Sequence, residues 1–93
     1  SPVVADGIVR FVLHDHQAVS VRGFGAWDGW AEPGRQALET EPGLWEATLP
    51  RPAPGEYAYK LLRDGATWIC DPANPVRVAD GGGNWNSLLR LRP

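Results

Sequence analysis

The sequence predicts an all-β fold, an antiparallel β-sandwich of about seven to eight short strands. Continuous apolar runs reach only about half a dozen residues, whereas helices would need longer periodic stretches. Eleven glycines and nine prolines punctuate these runs. Several runs alternate apolar and polar residues with the period of two that lays one face of a strand against a core. With 93 residues, 43% of them hydrophobic and 22% charged, the chain can build one core and no more, so residues 1–93 are read as a single domain. It contains no methionine, so it is expected to be processed or excised from a longer polypeptide.

The first strand is expected over Gly7 to Leu13, where Val9, Phe11 and Leu13 share a face. His14 to Gln17 is polar and turn-like, and Ala18 to Arg22 resumes alternation with Val19 and Val21 together, as the second arm of a hairpin. Gly23 to Trp30 has glycines and two large aromatics without a period and reads as an aromatic loop. Arg35 to Glu39 is a weak strand, Glu41-Pro42-Gly43 a turn, and Leu44 to Leu49 a strand with Trp45, Ala47 and Leu49 inward. Pro50 to Pro54 breaks the ladder. Glu56 to Arg63 is the clearest strand: Tyr57, Tyr59 and Leu61 face one way, and Ala58, Lys60 and Leu62 the other. Asp64-Gly65 suits a type I′ turn, after which Thr67 to Cys70 pairs back. Asp71 to Pro75 forces a bend, Val76 to Ala79 is a short strand, Asp80 to Gly83 a flexible loop, and Ser87 to Leu91 the closing strand.

The charge pattern and motifs exclude several functions. Net charge is −2 and the nine lysines and arginines are scattered, which argues against a nucleic-acid partner. The apolar runs fall far below the roughly 18 residues of a membrane span. The single cysteine, Cys70, is expected to be a buried reduced thiol, which leans cytoplasmic. His14-Asp15-His16 has metal-ligand residue types but lacks a third ligand nearby and reads as a solvated turn. Ser20 and Ser87 lack the strained, glycine-flanked setting of a nucleophile. Gly81-Gly82-Gly83 precedes a strand and lacks the lysine and hydroxyl of a phosphate loop. The carboxylates are spread singly, so no acid–base pair is visible. No metal, cofactor or catalytic residue is expected.

Five tryptophans in so short a chain are the outstanding feature. Trp45 fits the core, whereas Trp27, Trp30, Trp68 and Trp85 sit in or beside expected loops. An exposed indole is a flat apolar plate that can lie against the C–H face of a pyranose while amide and ammonium groups bond the hydroxyls.

Six segments carry a resemblance: Gly23-Phe24-Gly25-Ala26-Trp27-Asp28, Trp45-Glu46-Ala47-Thr48-Leu49, Gly55-Glu56-Tyr57-Ala58-Tyr59-Lys60, Asp64-Gly65-Ala66-Thr67-Trp68, Asp71-Pro72-Ala73-Asn74-Pro75 and Asn84-Trp85-Asn86-Ser87. In this order and spacing the chain resembles the family-48 carbohydrate-binding modules. These include the glycogen-binding domain of the AMP-activated protein kinase β subunit and the amino-terminal early-set domains of isoamylase and branching enzymes. The resemblance implies an immunoglobulin-like sandwich that binds α-1,4-linked glucan, such as glycogen, starch or maltooligosaccharide, without catalysis. It implies stacking by Trp27 and Trp68 and hydroxyl contacts from Lys60 and Asn86, with Trp30, Trp85 and Asn84 as further candidates. Three departures stand out: Gly25-Ala26 replaces the family's asparagine before the first tryptophan, the turn ahead of Trp68 has an extra residue, and Gly82 occupies the place of the kinase subunit's leucine finger. The alternative expectation is a structural domain of an α-glucan-processing enzyme or other hydrolase that packs on a catalytic domain of its parent chain without binding sugar.

Overall fold

The computed structural model describes residues 2–93. It is an immunoglobulin-like sandwich of two antiparallel sheets with no α-helix among the described residues. The strands are β1 (Val3–Ala5), β2 (Ile8–His14), β3 (Val21–Gly25), β4 (Arg35–Gln36), β5 (Leu38–Glu41), β6 (Leu44–Pro50), β7 (Gly55–Arg63), β8 (Thr67–Ile69), β9 (Arg77–Ala79) and β10 (Trp85–Leu91). One sheet has the order β1-β2-β6-β5, and the other β4-β3-β7-β10-β9, with β8 also paired to β7. A single 3-10 turn, Ala26–Asp28, follows β3. No helix of the described residues is long and apolar enough to cross a membrane.

The period of two places the core where the sequence predicts it. Val9, Phe11 and Leu13 of β2, Trp45, Ala47 and Leu49 of β6, and Tyr59 and Leu61 of β7 are buried between the sheets, joined by Leu89 and Leu91 of β10. Burying an aliphatic or aromatic side chain of this kind stabilises a fold by about 1.5–3 kcal/mol. Asp64 and Gly65 both take positive φ, and Ala66 N–H donates to Arg63 O at 3.1 Å, so the expected I′ geometry closes the β7–β8 hairpin.

The expected hairpin of the first two strands does not form. Ala18 to Ser20 lies outside any strand and Val19 is 83% exposed. The Asp15 carboxylate accepts Gln17 and Ala18 N–H and pairs with Arg63 at 2.7 Å, while Asp64 accepts Val19 and Ser20 N–H. These bonds divert residues 15–20 across the end of the sandwich. β3 therefore begins only at Val21, in the opposite sheet, paired with β7. Gly23-Phe24-Gly25, expected in a loop, belongs to β3, and the closing strand begins at Trp85 instead of Ser87.

A buried polar knot explains the Asp71–Pro75 bend. Tyr59 O–H donates to Asp71 Oδ2 at 2.7 Å, Asn74 Nδ2 donates to Tyr59 Oη and to Leu88 O, and Asp71 N–H donates to Ser87 Oγ. Tyr59, Asp71, Asn74 and Ser87 are all buried, and each is hydrogen-bonded, as burial of a polar group demands. Burial pushes the Tyr59 phenol well above its ordinary range. The knot fixes the chain between β8 and β9 to the middle of β7 and β10.

A tryptophan face on the outer side of the larger sheet

Alternation along β7 sends Lys60 and Leu62 outward, opposite to Tyr59 and Leu61. The register places Phe24 of β3 across from Lys60, and Trp68 of β8 across from Leu62. Pairing Ser87 with Tyr59 gives Ser87 the inward side of β10, so Asn86 takes the outward side with Lys60. Trp68, Lys60 and Asn86 thus share one face. Leu62 and Phe24 lie beneath it, and Phe24, although on an outer face, is only 2% exposed.

Phe24 is covered from three sides. The Trp68 ring meets it edge-on with centroids 5.1 Å apart, and the Arg22 guanidinium carbon lies 5.5 Å from its centroid. The loop before β4 closes the third side at Gly34, where a β-carbon would fall 2.9 Å from the Phe24 ring. The result is a small apolar cluster outside the main core. Trp68 rests on it and remains 50% exposed, so one part of the indole is supported and the rest faces solvent.

Lys60 Nζ donates to Asp80 Oδ2 at 2.8 Å, and the other oxygen of Asp80 accepts N–H from Gly82 and Asn84. These contacts, led by the Lys60 bond, hold the Asp80 carboxyl down to about 2. The glycine-rich segment expected to be flexible is therefore tied to the tryptophan face through one carboxylate. Lysine carries three donors, of which the ion pair occupies one, and the Lys60 side chain is 17% exposed.

The remaining candidates lie elsewhere. Trp27 packs inward, its ring 5.5 Å from that of Phe11 and 5.9 Å from that of Tyr59. It lies on the opposite side of the sheet from Trp68, so the two indoles do not form a shared plate. Trp30 is partly buried in the loop after the 3-10 turn. Trp85 is 55% exposed, but it precedes Asn86 by one residue on β10 and so has the opposite facing. Asn84 is exposed at the tip of the β9–β10 hairpin. Cys70 is only partly buried and its thiol donates to Trp85 O. His14 and His16 join no cluster of potential metal ligands among the described residues.

Sequence reasoning missed Phe24 and Asp80. The alternation Arg22-Phe24 across from Lys60-Leu62 carried a signal for Phe24 once β3 was extended to Gly25. Nothing local marks Asp80 as the partner of a lysine twenty residues earlier. A concavity of about 670 Å³ lies between β4 and the other sheet, lined by Arg10, Arg35, Leu38, Glu46 and Thr48. It contains no aromatic plate, and its arginines are engaged: Arg35 donates to Thr48 O, and Arg10 faces Glu46 at 3.8 Å.

No known family profile matches the chain. Its relatives are 1,4-alpha-glucan branching enzymes: it is 43% identical to one from Rhizobium johnstonii over 80% of its length, and 46% identical to one from Paraburkholderia xenovorans over 69%. A branching enzyme of Rhizobium etli is 40% identical over 76% of the chain. The match covers 11%, 9% and 10% of these proteins, so the chain spans about a tenth of the length of the curated relatives it matches. The chain is thus homologous to one segment of glucan branching enzymes.

Proposed function

We propose that residues 1–93 form a non-catalytic α-glucan-binding module, of the family-48 type, that tethers a larger cytoplasmic glucan-processing protein to glycogen, starch or maltodextrin. The observation that carries this reading is the half-exposed Trp68, backed by Phe24 and Leu62, on one face with Lys60 and Asn86. A rigid indole loses little entropy when a pyranose stacks on it, and ammonium and amide groups beside it can bond the ring hydroxyls. The branching-enzyme relatives act on a glucan by name, which is the chemistry this face fits.

One stacked ring contributes about 1 kcal/mol. About three net hydrogen bonds contribute about 1 kcal/mol each. The sum, about 4 kcal/mol, corresponds to a Kd of about 1 mM. Such weak binding suits a tether, which gains from repeated sites along a polysaccharide. The test is tryptophan fluorescence during titration with maltoheptaose or β-cyclodextrin. A saturable change that disappears in Trp68→Ala is expected. No response up to about 10 mM, with circular dichroism showing an intact fold, would overturn the reading.

A second reading is a domain that packs on a catalytic domain of its parent without touching sugar. The inward Trp27 and the pairing of Lys60 with Asp80 favour it, since both remove groups from the glucan face. An absent sugar response in the same titration is its signature.

A further inference from the structure

Gly25 has an extended backbone, with φ −160° and ψ 172°, that any residue could adopt. What excludes a side chain there is the Trp27 ring. A β-carbon on Gly25 would lie 2.3 to 2.6 Å from three carbons of the indole, far inside van der Waals contact. Phe11 and Tyr59 stand against the ring, with centroids 5.5 and 5.9 Å away. Its Nε1–H is buried and has no hydrogen-bond partner. The inward pose is therefore held by packing alone and leaves a donor unsatisfied that water or a sugar hydroxyl would satisfy.

We propose that Gly25 is the specificity-determining residue of the glucan face: it opens the space in which Trp27 is stowed, and a side chain at position 25 turns Trp27 out as a second plate. The glucan consequence rests on the function proposed above, whereas the stowing rests on geometry alone. Gly25 is the last residue of β3, directly after Phe24, which pairs with Lys60. Trp27 follows two residues later, in a one-turn 3-10 segment that ends at the left-handed Gly29. Released from the core, its ring leaves at that end of the sheet, on the side of β7 that β3 occupies. With Trp27 stowed, the domain offers Trp68 alone and grips one glucose ring; with Trp27 out, a longer glucan meets two plates.

The test uses ¹⁵N-labelled protein, in which each tryptophan gives one indole N–H resonance and Trp27→Phe assigns that of Trp27. In the wild type the Trp27 N–H should exchange with water at least about tenfold more slowly than those of Trp68 and Trp85. In Gly25→Asn it should exchange as they do, with the β-sheet signature retained. Maltoheptaose affinity should rise by about threefold or more. That gain should vanish in Gly25→Asn/Trp27→Phe. Gly25→Ala, the smaller perturbation, should give the same pattern.

Four results would overturn the proposal. They are a Trp27 N–H already exposed in the wild type, one still protected in a folded Gly25→Asn, an exposed one that brings no Trp27-dependent gain in a protein that binds, and unfolding of both Gly25 variants. If no protein binds maltoheptaose while the exchange pattern is as expected, the glucan reading has failed and Gly25 has no specificity role, although Trp27 is stowed as described.

Discussion

Replacing Phe24 with leucine tests whether the proposed glucan face depends on a residue that no ligand can touch. Phe24 is almost wholly buried and meets the Trp68 ring edge-on, 5.1 Å between centroids. Leucine keeps an apolar filler but removes the ring pair, which contributes about 0.5–1.5 kcal/mol beyond area. Some void against Gly34 and Arg22 adds to this, so a stability loss of about 1–2 kcal/mol is expected. Trp68 then loses its brace and must be immobilised by the ligand, at about 0.5–1.5 kcal/mol for one side chain. Affinity for maltoheptaose should fall about two- to tenfold. Calorimetric titration of folded Phe24→Leu beside the wild type, with urea unfolding for stability, separates the two effects. Wild-type affinity in a destabilised Phe24→Leu would refute the idea that Phe24 supports a binding plate.

Two further predictions concern the framework. Tyr59→Phe removes the hydroxyl that Asp71 and Asn74 share, leaving two buried polar groups short of a partner. A loss of about 2 kcal/mol, or roughly 8–16 °C in Tm, is expected; a change under about 0.5 kcal/mol would mean the knot is dispensable. In acid, the Asp80 carboxyl is held at about 2 against an ordinary value near 3.8, and those of Asp15 and Asp64 are also lowered, chiefly by the backbone N–H groups of Gln17 and Val19. A depressed native pKa stabilises above the unfolded value and loses that contribution as pH falls through the native one. The urea midpoint should therefore hold from about pH 7 to 5 and fall between about pH 4 and 2. The fall should be shallower in Asp80→Asn, and an identical slope would remove Asp80 from the account.

The strands whose alternation extends over many residues were legible in the sequence. Tyr57-Tyr59-Leu61 and Trp45-Ala47-Leu49 each bury one face against the same core, so local pattern and tertiary packing agree. Val19 and Val21 alternate without forming a hairpin arm, because alternation reports which side chains could share a face, not which strand pairs with which. Two carboxylates, Asp15 and Asp64, capture the backbone of residues 17–20 and send β3 into the other sheet.

The candidate site was legible only in part. Lys60 and Trp68 lie on the expected outer face because β7 fixes their parity. Phe24 was hidden because it is buried on an outward face, under Trp68 and the Gly34 loop. The fate of Trp27 depends on the missing side chain of Gly25, two residues away, and on Phe11 and Tyr59, which come from two other strands. The Asp71–Pro75 segment, conspicuous in the sequence, turns out to serve the interior through Asp71 and Asn74.

The most direct measurement is a ¹H–¹⁵N spectrum of the domain titrated with maltoheptaose to about 10 mM. The account predicts saturating shifts at the Trp68 indole and at the amides of Lys60, Asn86 and the Asp80–Asn84 loop, with the Trp27 indole unmoved. A spectrum that does not change, or one whose shifts fall on the Arg10–Thr48 groove between β4 and the other sheet, would contradict it.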